Sequence, residues 1–120
     1  MPSIKPGAIG VMAEETACRY LSDRGLVATC RNFRTKQGEI DLIMRDGETT
    51  VFVEVRARTS TAFGHPAETI GLTKQKRIGR AARYYLSKLD RVPACRFDVV
   101  TLTGGNKSIE WIRDAFRVDV

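Results

Sequence analysis

Two runs of alternating character, Glu39 to Arg45 and Thr49 to Arg58, are separated by Asp46-Gly47, a dipeptide suited to a tight two-residue hairpin turn. No other stretch restricts the fold as strongly. Side chains alternate across a strand, so Ile40, Leu42 and Met44 share one face of the first strand and Val51, Val53 and Val55 one face of its partner. These are read as the core faces. The opposite face carries Glu39, Asp41 and Ile43 on one strand and Phe52, Glu54 and Arg56 on the other. A turn centred on Asp46-Gly47 places Glu54 directly across from Glu39 and diagonally from Asp41.

Around the hairpin the pattern reads as alternating helix and strand. Ala13, Ala17, Tyr20 and Leu21 recur at helical spacing between Ile9 and Arg24, with Gly25 as a C-terminal stop. Leu26 to Phe33 reads as a short strand, followed by a turn through Thr35 to Gly38. Thr59 to Gly71, rich in Thr, Ser, Gly and Pro, is a long connection suited to carrying function. Thr73 is placed to cap a second helix whose apolar face is Ile78, Ala81, Ala82, Tyr85, Leu86 and Leu89. Cys95 to Thr103 and Ser108 to Arg113 read as strands about a Gly104-Gly105-Asn106 turn. The economical architecture is α/β, a central mixed β-sheet flanked by helices. At 120 residues the chain is expected to form a single domain, with residues 1–8 a flexible lead-in.

The formal net charge of +6 favours an anionic partner, either nucleic acid or an acidic membrane surface. The distribution of charge points to nucleic acid. Lys76, Arg80 and Arg83 lie on one side of the second helix with Lys74 and Arg77 close by, and no Asp or Glu occurs from Thr73 to Ser87. This stripe, with Arg58 at the end of the hairpin, is the candidate phosphate-binding set. A membrane role is disfavoured because the helix's other side must form the core, and no apolar run is long enough to span a bilayer. Tyr84 and Phe63 could stack on bases, although aromatic residues more often pack.

Cys18, Cys30 and Cys95 are odd in number and scattered, which fits neither a disulfide framework nor a zinc site and suggests reduced thiols in the cytoplasm. His65 is the only histidine, which argues against a nucleophile served by a histidine base. The carboxylates remain as the chemistry. Like charges gathered across strands destabilise a sheet unless a cation offsets them, and Mg²⁺ is usually held by one or two carboxylates plus phosphate and water. Glu39 belongs to this candidate set with Asp41 and Glu54. The competing reading is a surface ladder in which Arg34, Arg45, Arg56 and Arg58 pair with the acids.

The run Gly38-Glu39-Ile40-Asp41-Leu42-Ile43, followed by Val51-Phe52-Val53-Glu54-Val55-Arg56-Ala57-Arg58, resembles the signature of the YraN family of bacterial proteins. The likeness extends to Glu14, Ala17, Tyr20, Leu21, Gly25, Asn32, Arg34, Phe63-Gly64, Pro66, Lys74 and Arg96-Phe97-Asp98-Val99-Val100. That resemblance implies a restriction-endonuclease-like fold related to Holliday-junction resolvases. It further implies that Asp41 and Glu54 are the acids of a nuclease motif, Asp then Glu-x-Lys, holding Mg²⁺ or Mn²⁺. Glu14 would be aimed at the same metal. Arg56 stands where the motif has lysine; arginine can orient or stabilise negative charge but does not shed a proton. Ala13 stands where many members have glycine. The leading expectation is a nucleic-acid-binding protein of this class, a metal-dependent endonuclease for branched or structured DNA, with Asp41, Glu54 and Arg56 catalytic. The alternative is a non-catalytic DNA-binding or protein-interaction module on the same fold. By analogy with resolvases, a homodimer is the implied assembly.

Overall fold

The computed structural model describes residues 6–58, 70–104 and 107–119, the side chains of residues 6–9 excepted. The first helix, α1, spans Pro6–Ser22. Residues 6–8, expected to be flexible, therefore open a helix, and residues 1–5 lie outside the described residues. Gly25 ends the element in the left-handed region at φ +99, with its N–H and that of Leu26 returned to the carbonyls of Ser22 and Leu21. A side chain there would be strained.

The strands are β1 (Val27–Arg34), β2 (Glu39–Asp46), β3 (Thr49–Arg58), β4 (Cys95–Thr103) and β5 (Ser108–Phe116), with helix α2 (Leu72–Ser87) between β3 and β4. They form one five-stranded sheet in the order β1-β2-β3-β4-β5. Neighbours are antiparallel except β3 and β4, which are parallel. A parallel pair needs a long crossover, and the connection containing α2 supplies it. The architecture is α/β, as expected.

The hairpin departs from expectation in that neither of its faces is left to solvent. On one side Ala17 and Leu21 of α1 pack with Leu42, Met44, Val51 and Val53. On the other, Ile78, Ala81, Ala82 and Leu86 of α2 cover Ile43, Phe52 and Phe97. Ile43 and Phe52, assigned to the open face, are buried at 0% and 1% exposure. Alternation identifies two faces but does not say whether the polar one is also covered; a crossover helix covers the second face of a sheet.

Helix α2 begins one residue before Thr73, at Leu72, with Gly71 as N-cap and no side-chain cap bond. Thr73 is thus inside the helix and does not cap it. Gln75 anchors the entry instead, its side-chain amide donating to the Ile70 carbonyl at 2.8 Å. Leu89 lies past the helix end and is 37% exposed. Of the long connection, residues 59–69 lie outside the described residues, Phe63 among them.

β5 runs past Arg113 to Phe116. Its register against β4 shifts between Phe97 and Val99, around the fully buried Asp98. The Asp98 carboxylate accepts from Arg96 Nε at 3.1 Å, Trp111 Nε1 at 2.9 Å and the backbone N–H of Asp114 at 2.9 Å. Asp114 takes up a positive φ of 51 at this point. Arg96 continues to Asp46 at 3.0 Å, so one buried acid ties β4 to β5 and, through Arg96, to the end of β2.

Candidate active site

The hairpin turn lies at Gly47-Glu48, one residue later than expected. Asp46 and Thr49 are the last paired residues, and Gly47 carries the positive φ of +63 that a tight hairpin needs at its first central position. The register consequently pairs Leu42 with Val53, and the next step along the ladder puts Asp41, not Glu39, across from Glu54. Glu39 sits opposite Arg34 on β1 and reaches it at 3.5 Å with most of its side chain in solvent.

The row extends into β1, where Arg31 pairs with Leu42 and Phe33 with Ile40, leaving Asn32 abreast of Asp41. Asn32 has φ 52, a left-handed conformation that asparagine tolerates better than most side chains. With its amide nitrogen turned to the acid, Asn32 donates to both carboxylate oxygens of Glu14, at 2.6 and 3.0 Å. Glu14 is thereby held, buried, on α1.

Asp41 Oδ2 accepts the backbone N–H of Val55 at 2.8 Å. Glu54 is buried beside it. Lys74 of α2 completes the group, its Nζ 2.8 Å from Glu54 Oε1. Helix α2 can come this close because of Gly38, where a Cβ would lie only 2.8 Å from the Arg77 carbonyl carbon.

Burial, and then the charge of Asp41, push the Glu54 carboxyl up from 4.5 to about 7 against the opposing pull of Lys74. Asp41 is also raised by burial, with the Val55 N–H opposing. Glu14 is raised by burial, then by Asp41 and Glu39. Desolvation is the first cause of the shift for all three acids. Among the described residues no three or more Asp, Glu, His or Cys already stand together in metal-holding geometry. What the fold assembles is a carboxylate pair, with Glu14 nearby.

A stability consequence follows from the raised Glu54. Between its unfolded value of 4.5 and its folded value of about 7, the native state keeps a proton that the unfolded chain has lost. This contribution is complete below the lower value and is lost as pH rises through the upper one. The melting temperature should fall between about pH 5 and about pH 8. Glu54→Gln cannot ionise, so it should flatten that fall and melt roughly 5 °C or more above the parent at the higher pH. A thermal melt series on both proteins checks this; a variant that melts lower throughout would show that the bridge to Lys74 outweighs desolvation.

A family model described as "Uncharacterised protein family UPF0102" matches residues 13–102. The chain belongs to this family. A UPF0102 protein of Nitrosospira multiformis is 53% identical over 111 residues, covering 92% of this chain and 93% of that protein. One of Cupriavidus metallidurans is 56% identical over 108 residues, covering 89% and 79%. One of Coxiella burnetii is 48% identical over 114 residues, covering 92% and 93%. The segment matched by the UPF0102 model contains Glu14, Asn32, Asp41, Glu54 and Lys74, and the YraN resemblance and this membership agree.

In this UPF0102 chain the expected basic stripe is divided. Lys74 turns to the carboxylates. Arg34, Arg56, Lys74 and Arg77 border a cleft of about 830 Å³ that also reaches Gly38 and Glu39. Arg80 faces an adjoining cleft with Tyr84, Arg83 donates to the Asp119 carbonyl at 3.1 Å, and Lys76 is exposed. Arg58 is half-buried at the end of β3. Sequence reasoning did not anticipate that Lys74 reaches Glu54 or that Asn32 holds Glu14. Lys74 and Asn32 are both among the residues that carry the YraN likeness, and an asparagine inside a strand is a further signal for the second. Among the described residues no helix is long and apolar enough to cross a membrane, and Cys18, Cys30 and Cys95 are free thiols.

Proposed function

We propose that this protein is a metal-dependent endonuclease acting on branched or otherwise structured DNA, with a restriction-endonuclease-like arrangement of its sheet. One observation carries the reading: half-buried Asp41 and buried Glu54 stand across from each other on adjacent strands, and Lys74, which meets Glu54, borders a cleft with Arg34, Arg56 and Arg77. Two carboxylates suit Mg²⁺ or Mn²⁺ when substrate phosphate and water complete the shell. Asp41 and Glu54 would be the direct ligands, and Glu14, held by Asn32, would act through water.

When bound, the ion supplies a Lewis acid at the scissile phosphate and lowers the pKa of water. Glu54, whose carboxyl burial raises to about 7, would have to be ionised for the pair to hold a dication. Lys74 answers the difficulty raised by Arg56. A lysine differs from an arginine in being able to shed a proton, and Lys74 stands beside the buried acid. Arg56, two residues beyond Glu54, then has the task of neutralising phosphate charge.

The Lys74–Glu54 contact also favours a second reading, in which lysine is the permanent counter-ion and the protein binds DNA without cutting it. Metal alone separates the two. For the nuclease, Mn²⁺ should raise the melting temperature at about pH 8 and much less at about pH 5, where protons compete for the pair. The companion assay follows binding and cleavage of duplex, single-stranded, flapped and four-way DNA with Mg²⁺, with Mn²⁺ and with chelator. Metal-dependent cutting of branched forms is expected. No melting shift and no cutting with either ion would leave the non-catalytic module.

A further inference from the structure

Helix α2 places two tyrosines side by side with opposite fates. Tyr85 turns inward, edge-on to Phe33 at 5.4 Å and to Phe52 at 6.0 Å, and packs against the core under α2. Tyr84 remains 50% exposed, its ring resting at a tilt on Phe33, centroids 6.1 Å apart. Lys88 Nζ stands 4.9 Å from the ring centre. Tyr84 borders a cleft of about 620 Å³ together with Arg34, Lys36 and Arg80, and no acidic residue lines it. This cleft shares Arg34 through Gln37 with the one that contains Arg56 and Lys74.

We propose that the Tyr84 cleft receives a single-stranded DNA arm, with a base stacked on the Tyr84 ring and the flanking phosphates on Arg34, Lys36 and Arg80. This rests on the nuclease reading for what happens at the carboxylates, but the strand-binding site has its own grounds. A half-exposed aromatic supported from behind and surrounded by cations is the combination that holds single strands, since any base offers a π-face and the backbone supplies the charge. A duplex keeps its base faces stacked internally and cannot use such a ring. Tyr84 follows Lys74 by ten residues on α2, about 15 Å at helical rise. The substrate class this defines is DNA with a duplex part and an unpaired arm.

The test is fluorescence anisotropy in chelator, so that cleavage plays no part, using a labelled single strand, the same strand made abasic, and a duplex of equal length. Tyr84→Ala should weaken binding of the normal strand by about tenfold or more, the loss of one stacked base. Tyr84→Phe, which keeps the ring, should stay within about twofold of the parent, as should Tyr84→Ala on the duplex and the abasic strand. An equal loss on single strand and duplex, or no loss on the single strand, would overturn the proposal. If the Tyr84 effect is present while no DNA is cut with Mn²⁺, the strand site stands and the nuclease reading fails. If the unmodified protein binds no DNA, both fail.

Discussion

For the proposed nuclease, Asp41→Asn is expected to reduce metal-dependent cleavage by about a thousandfold or more, the loss of roughly 4 kcal/mol of transition-state stabilisation. The substitution is close to isosteric. Its amide oxygen can still accept the Val55 N–H that Asp41 Oδ2 now takes at 2.8 Å, so the local splice between β2 and β3 should persist. What disappears is one charge of the pair. Glu54, no longer facing a like charge, should ionise more readily, because Asp41 is the second cause of its raised value after burial. The variant should therefore remain folded, lose most of the Mn²⁺-induced rise in melting temperature, and cut branched DNA only at that reduced rate. Lys74→Gln provides the contrast: the ligands remain, so Mn²⁺ should still raise the melting temperature while cleavage falls. Cutting by Asp41→Asn at matched folded concentration would place the activity elsewhere in the chain.

Asp98→Ala should lower stability by about 3–5 kcal/mol, the usual cost of removing one partner from a buried ion pair. For a chain of this size that is a drop in melting temperature of roughly 15 °C. Asp98 has no solvent exposure, and its removal would strand the Arg96 guanidinium, the Trp111 indole N–H and the Asp114 backbone N–H together. Arg96 already has one buried nitrogen, Nη2, without a partner among the described residues, so little slack remains to absorb the loss. Asp98→Asn can still accept from Trp111 but cannot balance Arg96, and should fall between alanine and parent. Calorimetry on the three proteins decides it; a fall of less than ~2 °C for alanine would mean that water replaces the acid at little cost.

The sequence by itself determined the element order, the hairpin and the identities of the two central acids. Period-two and helical spacings are local signals, and the hydrophobic positions at 42, 44, 51 and 53 had no other way to be buried together. It also yielded Glu14 through its resemblance to a known family. It did not determine which acids stand abreast. The displacement of the turn from Asp46-Gly47 to Gly47-Glu48 replaces Glu39 by Asp41 across from Glu54, because changing the turn centre by one residue changes every cross-strand partner. Nor could it say that the face bearing Asp41 and Glu54 would be covered. Only the parallel crossover brings α2 over Ile43 and Phe52, and that same packing raises the carboxyls by taking them out of water. In sequence Lys74 reads as a phosphate contact and Tyr84 as a ring that could stack or pack, both on one basic helix. Tertiary structure assigned Lys74 to Glu54 and left Tyr84 open on a cationic cleft, since where a helical side chain ends depends on how the helix is rotated against the sheet, and α2 approaches closely only where Gly38 leaves room for Arg77.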